Sequence, residues 1–383
     1  MARIRVGINA RLLSDSSMRG WTRYSLSLIR AMAETGDVEI CLLTDLPIAE
    51  VHRQALAKNF DSGAIRELAS GPCRYPTWQE KWLRQTIIRE KIAVYHTPYH
   101  YGVPWWPGCP SVATLHDAID ATMPVPLAER FSRMTIKSRY YLWQTRKMAD
   151  RIITVSEFSA DQLQRRLRIP RRKIRVVPEA ADAIFHKLVS HEEIQSLRSF
   201  YAIPAKPYVF YVGGLEGRKN FEVVLKAIAA MQQKGAFQLV LAGGAAADRA
   251  RLEAIAKDLK VSEFVSFLGR VPDEHLPGLY SGALAMVYPS RLEGFGLQLV
   301  EAMARGCPMV VSRATSLPEV AGHAGEYFDP DDAAGLAAIL DRLAIDKNYE
   351  DWLRGKSAER SGSFSWEILA RGTLDVYREL VNG

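Results

Sequence analysis

The sequence predicts an α/β protein of two domains, each built on a parallel sheet, and three observations carry that reading. A chain of 383 residues exceeds the size of one ordinary core and has enough apolar residues for two. Short β-rich runs alternate with helical patterns, the βαβ rhythm that produces parallel strands. After "KIRVVPEAADAIF" and a polar helical stretch near 191–200, that rhythm restarts at Tyr208. The expected division is a first domain over 1–190, rejoined by a C-terminal helix over 364–383, and a second domain over 204–363.

In the first domain the strands are "IRVGINA" (4–10), "VEICLLT" (38–44), "AVYHTP" (93–98), "PSVATLHD" (110–117) and "RIITVS" (151–156), with helices near 22–35, 80–91 and 127–149. In the second they are "YVFYVGG" (208–214), "FQLVLAGG" (237–244), "VSFLG" (265–269), "AMVYPS" (285–290) and "PMVVS" (308–312), each closed by Gly, Pro or Ser and followed by helical spacing. The last stretch, "SWEILARGTLDVYRELV" (365–381), is an amphipathic helix beyond the end of the second sheet, expected to cross back to the first domain.

Composition narrows the class. With 48% hydrophobic and 24% charged residues and no low-complexity tract, the chain is globular. No apolar run approaches the ~20 residues of a membrane span, and "MARIRVGINARLL" is too short and too arginine-broken for a signal peptide, so a cytoplasmic location is expected. Cys41, Cys73, Cys109 and Cys307 form no C-x-x-C pair, which points away from zinc and from a disulfide framework. The net charge of +7 is uneven: residues 1–200 carry 30 Lys and Arg against 20 Asp and Glu, residues 201–383 carry 20 against 23. A basic first half calls for an anionic partner: phosphate, lipid headgroup or nucleic acid.

In parallel α/β sheets, ligands bind beyond the carboxyl ends of the strands. The loops there hold Gly20 in "RGWTRY", His96, His116 and Asp117, the run Gly213 to Lys219, Gly243, Gly244, Gly269, and "RLEGFGLQLVEAMARG" around Glu293. Two sheets facing through these edges would enclose one interdomain cleft. A helix starting near Gly296 would offer the amides of Gly294, Phe295, Gly296 and Leu297 to a phosphate. Glu301, further along that helix, suits a vicinal diol such as ribose, and Glu293 a sugar hydroxyl. Taken alone, the two glutamates read more readily as exposed charges at a helix end, and it is their context that reverses this. In "YVGGLEGRKN", glycines end a strand and Arg218 and Lys219 precede a helix, an arrangement suited to a diphosphate. Neither G-x-G-x-x-G nor G-x-x-x-x-G-K-[ST] is present, against a dinucleotide oxidoreductase or a P-loop ATPase.

Five stretches in order, "TLHD" (114–117), "ITVSEFS" (153–159), "VGGLEGRKN" (212–220), E-G-F-G-L-x-x-x-E (293–301) and "FSWEILA" (364–370), resemble the retaining glycosyltransferase family 4. The resemblance runs from Ile4 to Leu380. It implies the GT-B fold, two facing Rossmann-like domains, and a nucleotide diphosphate sugar as donor. It further implies that Arg218 and Lys219 hold the diphosphate, Glu301 the ribose, and that Glu293 and the Gly294–Phe295–Gly296 turn contact the donor sugar. Gly213 and Gly214 would border the donor, His116 would reach its sugar from the first domain, and Gly20 would lie near the phosphates. Thr22 departs from the second glycine of the family's first loop. Glu179–Ala180 replaces a commoner Asn-Gly, and no role is carried to Glu179.

The implied reaction is transfer to an acceptor hydroxyl with retention and without a carboxylate nucleophile: same-face attack, with Glu293 positioning the sugar and a donor phosphate oxygen taking the proton. The product would be an α-linkage in a glycan, polysaccharide or lipid-linked oligosaccharide. Two rivals are a GT-B sugar phosphorylase and a non-catalytic nucleotide- or glycan-binding protein. The "DPD" at Asp329–Asp331 mimics a metal-binding D-x-D but reads better as a turn with an acidic helix start, and with Arg218, Lys219 and a helix dipole at the phosphates no metal is expected. His52, His186, His191, His275 and His323 read as surface or loop residues, and His96 as a lesser site candidate. The stretch with Arg130, Arg133, Lys137 and Arg139 mixes basic and aromatic residues, as a solvated helix face or as a face for an anionic membrane at its inner surface. No nucleic-acid motif is visible.

Overall fold

The computed structural model describes residues 3–17, 20–118 and 132–383, with the backbone alone for Arg133 and Met134. The chain divides into two compact units, Met1–Glu179 with Ser365–Gly383, and Ala180–Phe364. Residues 180–190, read from the sequence with the first domain, therefore belong to the second unit.

The first unit holds seven parallel strands in the order β3-β2-β1-β4-β5-β6-β7: β1 (Ile4–Asn9), β2 (Val38–Thr44), β3 (Ile65–Ala69), β4 (Val94–Thr97), β5 (Ser111–Thr114), β6 (Arg151–Thr154) and β7 (Ile174–Val176). β4 and β5 are buried at every residue, because a parallel sheet is covered by helices on both faces. Helix α1 (Gly20–Thr35) follows β1, and α2 (Arg133–Met148) runs between β5 and β6, N-capped by Ser132, whose hydroxyl accepts from the Thr135 amide at 3.1 Å. Residues 127–131 of the helix expected over 127–149 lie outside the described residues.

The C-terminal helix Trp366–Asn382 is part of this unit. Ser365 caps it, accepting from the Ile368 amide at 3.1 Å, and Leu369, Ala370, Thr373, Leu374, Val376 and Tyr377 form its buried face against α1 and the β1–β4 region. Its far end is tied by Glu379 to Arg151 at 2.9 Å and by Arg378 to Asp37 at 2.8 Å.

The second unit holds six parallel strands in the order β10-β9-β8-β11-β12-β13: β8 (Tyr208–Gly213), β9 (Gln238–Gly243), β10 (Val265–Gly269), β11 (Ala285–Tyr288), β12 (Met309–Ser312) and β13 (Gly325–Phe328). Helices α3 (Phe221–Ala230) and α4 (Leu297–Ala304) leave the loops after β8 and β11. β8 and β11 are neighbours although β9 and β10 separate them in sequence, so the strand order reverses between them. The same reversal occurs between β1 and β4 in the first unit. Such switch points leave a crevice at the carboxyl ends, where the adjacent loops diverge. Among the described residues no helix is long and apolar enough to cross a membrane, and all four cysteines are free.

Candidate functional site

The switch point of the second sheet gathers most of the residues singled out from the sequence. β8 ends at Gly213, whose φ of +143° and close Tyr211 hydroxyl leave no room for a side chain. A short turn then carries Arg218 and Lys219, and Asn220, left-handed at φ 58°, closes it by donating to the carbonyls of Pro289 at 3.2 Å and Pro330 at 2.7 Å. The loop after β11 is thereby fastened to the loop after β8. The Arg291 amide donates to the Arg218 carbonyl at 2.9 Å, a further tie between the same two loops.

These ties bring Glu293 onto the two cations. Lys219 Nζ lies 2.6 Å and Arg218 Nη1 3.3 Å from Glu293 Oε1, with the Lys219 and Glu293 side chains 6% and 10% exposed. Arg218 also donates to the Leu292 carbonyl at 3.0 Å and pairs with Glu216 at 2.7 Å. Burial works against its charged form, but Glu293 and Glu216 outweigh it, and the guanidinium pKa is raised. Glu293 is itself fixed: its amide donates to Thr315 Oγ1 at 3.1 Å, and Ser316 Oγ donates to its carbonyl at 3.0 Å and to that of Phe295 at 3.2 Å.

Beyond Glu293, Gly294, Phe295 and Gly296 are buried, and Phe295 packs edge-on to Phe364 at 6.0 Å. Gly296 takes φ 94° as N-cap of α4 and brings no side chain to the first amides, so the helix start at Leu297 is left to backbone donors. Glu301 lies one turn in, buried, accepting from the Tyr280 hydroxyl at 3.3 Å. Three residues earlier Gln298 accepts from Tyr288 OH at 2.9 Å, and the Tyr288 ring lies under Lys219 Nζ at 5.7 Å. Gln298, Tyr288, Lys219 and Glu293 thus form one connected run, with Glu301 three residues beyond Gln298 on the same helix. Gly214 has Glu216 where a side chain would go.

The "DPD" residues do other work. Asp331 pairs with Arg291 at 2.5 Å, the Asp332 amide donates to the Asp329 carbonyl at 2.8 Å, and the Asp332 side chain caps the following helix through the Gly335 amide at 2.8 Å. They form a turn and a helix start.

In the first unit, His116 follows β5. Its Nδ1 is 2.6 Å from Glu179 Oε1, and the edge of Tyr24 from α1 packs on its ring at 4.5 Å. Burial disfavours the imidazolium, yet the Glu179 hydrogen bond and charge overcome this, aided by Asp117, and the His116 pKa is raised. Nε2 is buried with no hydrogen bond of good geometry among the described residues, and the Pro98 backbone also favours the charged ring. His96, the lesser candidate, is structural: fully buried, with Nδ1 2.5 Å from Tyr377 OH and Nε2 2.9 Å from Thr114 Oγ1. Burial depresses its pKa to about 3, so it is neutral. Gly20 opens α1 in an exposed position with open space where a side chain would stand, and Thr22 is buried. His52, expected at the surface, is buried, because its ring bonds the Asp15 carbonyl at 2.9 Å.

Residues 18–183 match the family model for Glycosyltransferase Family 4, and residues 194–360 that for Glycosyl transferases group 1. The chain belongs to glycosyltransferase family 4. This glycosyltransferase is 28% identical over 380 residues to the O-antigen chain mannosyltransferase B of Escherichia coli, covering 95% of this chain and 97% of that one. It is 30% identical over 285 residues to the MMP alpha-(1->4)-mannosyltransferase of Mycolicibacterium hassiacum, covering 72% of this chain and 66% of that one. Among solved structures, a glycosyltransferase from Rickettsia africae superposes with a TM-score of 0.72 at 15% identity, over 99% of both chains. HepE of Anabaena, in complex with UDP, superposes with 0.70 at 17% identity, over 99% and 100%. These likenesses establish the GT-B fold for the glycosyltransferase.

Two residues of the first unit carry no signal in the sequence. Glu179 replaces a commoner asparagine, and its contact with His116 spans 63 positions. His100 lies four residues after His96, and it is distinguished by the packing of the Trp21 and His116 rings around it.

Proposed function

We propose that this glycosyltransferase moves a mannosyl group from a nucleotide diphosphate mannose to a hydroxyl of a growing polysaccharide, with retention and without a metal. The observation that carries the reading is the convergence of Lys219 and Arg218 on Glu293 at the start of α4. Two cations beside a helix start suit a leaving diphosphate, whose charge grows as the sugar departs. In this reading the donor draws Lys219 and Arg218 towards its phosphates, and the released Glu293 carboxylate accepts from a sugar hydroxyl. Glu301 accepts from the ribose, and the Gly294 to Leu297 backbone lies along the donor. Glu293 positions the sugar, and a phosphate oxygen takes the acceptor proton in a same-face attack. The names of the similar mannosyltransferases support mannose and a polysaccharide acceptor. An aromatic and basic surface supports contact with an anionic membrane: Trp106, Ile136, Tyr140 and Trp143 are exposed, with Lys137 and Arg139 on the same helix as three of them.

The test is incubation with nucleotide diphosphate mannoses and an oligomannoside, in EDTA, with the new anomeric C1–H1 coupling read by NMR. An α-linked product is expected. A β-linkage overturns retention, loss of activity restored by Mg²⁺ or Mn²⁺ overturns metal independence, and phosphate-dependent release of mannose 1-phosphate favours a phosphorylase. Vesicles rich in anionic lipid should co-sediment the protein at low salt, and Trp106→Ser with Ile136→Ser should weaken that binding; unchanged sedimentation removes this surface from the proposal.

A further inference from the structure

Gln298 occupies an open position of the stretch E-G-F-G-L-x-x-x-E, and the structure joins it to the charged cluster of the second unit. It is the second residue of α4 and half-buried. Its side chain is held by Tyr288, the last residue of β11. The Tyr288 ring is fully buried and lies 5.7 Å from Lys219 Nζ, and its hydroxyl lies 2.9 Å from Gln298 Oε1. Burial, and after it the negative charge of Glu293, push the Tyr288 phenol pKa well up, so this hydroxyl keeps its proton and donates it. The carboxamide is thereby oriented, with its oxygen spent on Tyr288. Its Nε2 has no hydrogen-bond partner among the described residues.

The neighbouring donors are in a different state. Lys219 and Arg218 face Glu293 and Glu216, two cations against two carboxylates. Asn220 Nδ2 is taken up by the Pro289 and Pro330 carbonyls. The charges of the resting cluster therefore balance, while Gln298 Nε2 is a donor that no protein acceptor holds. An amide N–H suits an oxyanion here. It carries no charge for a carboxylate to neutralise at rest, and it strengthens as negative charge grows on a leaving phosphate.

The order of groups decides which phosphate it meets. In the transferase reading Glu293 accepts from the donor sugar and Glu301 from the ribose, and Gln298 is joined through Tyr288 and Lys219 to the Glu293 side. We propose that Gln298 Nε2 donates to the sugar-side phosphate of the nucleotide diphosphate donor, and that Tyr288 is the positioning residue that holds it for this contact. As the bond from the anomeric carbon to the phosphate oxygen breaks, its electron pair stays on that oxygen, and the amide hydrogen bond stabilises the charge. The acceptor oxygen forms the new bond and gives its proton to a phosphate oxygen. The assignment rests on the transferase reading above.

Calorimetric titration of GDP beside GMP, and of UDP beside UMP, measures the preference for the second phosphate in wild type, Gln298→Leu, Gln298→Glu and Tyr288→Phe. The Tm of each ligand-free protein reads the fold separately. Gln298→Leu should weaken diphosphate binding about tenfold and leave monophosphate binding within about twofold. Its kcat for transfer should fall at least about tenfold. Gln298→Glu keeps an acceptor for Tyr288, so its Tm should stay near that of wild type. With a carboxylate in place of the donor, it should nevertheless bind the diphosphate more weakly than the leucine variant. Tyr288→Phe should lose about threefold of the same preference, with monophosphate binding unchanged. A leucine variant that keeps the wild-type preference, or a glutamate variant that binds the diphosphate as tightly as wild type, overturns the role of Gln298. A wild-type preference in Tyr288→Phe overturns that of Tyr288. Failure of the transferase reading looks different: wild type itself then shows no preference for either diphosphate over its monophosphate, and the proposal falls with it.

Discussion

Replacing Glu293 with glutamine separates the resting contacts of this residue from the part in transfer proposed for it. The resting structure places the carboxylate 2.6 Å from Lys219 Nζ and 3.3 Å from Arg218 Nη1, in side chains 10%, 6% and 31% exposed in that order. At an effective dielectric near 20, unit charges ~4 Å apart attract by about 4 kcal/mol, and removing one partner of a buried pair outright costs roughly 3–5 kcal/mol. Glutamine keeps an acceptor for Lys219, and Arg218 retains Glu216 and the Leu292 carbonyl, so the expected net loss is about 2 kcal/mol. For a unit of this size that corresponds to a fall in Tm of roughly 4–8 °C. Nucleotide diphosphate binding should move the other way. With no carboxylate competing for the cations, Kd should tighten about tenfold, roughly 1.4 kcal/mol. Transfer should fall at least about tenfold, because the sugar loses its anionic hydroxyl acceptor. Differential scanning fluorimetry, calorimetric titration and initial rates read these separately. Weaker nucleotide binding together with undiminished transfer would refute the reasoning, since Glu293 would then neither hold the cations in reserve nor meet the sugar.

Arg218→Ala with Lys219→Ala should remove most of the Tm increase given by a nucleotide diphosphate, and an unchanged increase would take both residues out of the phosphate site. Glu179→Gln should reshape stability against pH. The raised His116 pKa means that its pair with Glu179 stabilises fully below about pH 6.5, the unfolded value, and the contribution is lost as pH rises through the folded value. The Tm gap between wild type and this variant should therefore be widest in mild acid and close in alkali, and a gap constant with pH would count against the pairing. Tyr377→Phe leaves His96 Nδ1 buried without its 2.5 Å partner, and should lower stability by about 1–3 kcal/mol in chemical denaturation without changing nucleotide binding.

Sequence by itself determined the fold class and pointed to many of the residues that the structure gathers at the candidate site of the second unit. Buried central strands such as β8, β9, β11 and β12 are continuous apolar runs, legible because both faces of a parallel sheet are covered. The glycines after them, the Arg218–Lys219 pair and the Glu293–Glu301 spacing are local, so they can be read without knowing what lies opposite. β3, β7 and β13 are not legible as strands in the sequence. All three are edge strands, only partly buried along much of their length, and so lack a long apolar run. What tertiary structure decided are the partnerships between distant segments. It set Glu293 against Lys219 across 74 positions and Glu179 against His116 across 63, and enclosed His96 between Thr114 and Tyr377. It also grouped the aromatic and basic residues of the first unit around one cavity. Such pairings have no period and no motif, because strand order decides which loops become neighbours. The reversal between β8 and β11, and that between β1 and β4, exist only once the sheets have formed.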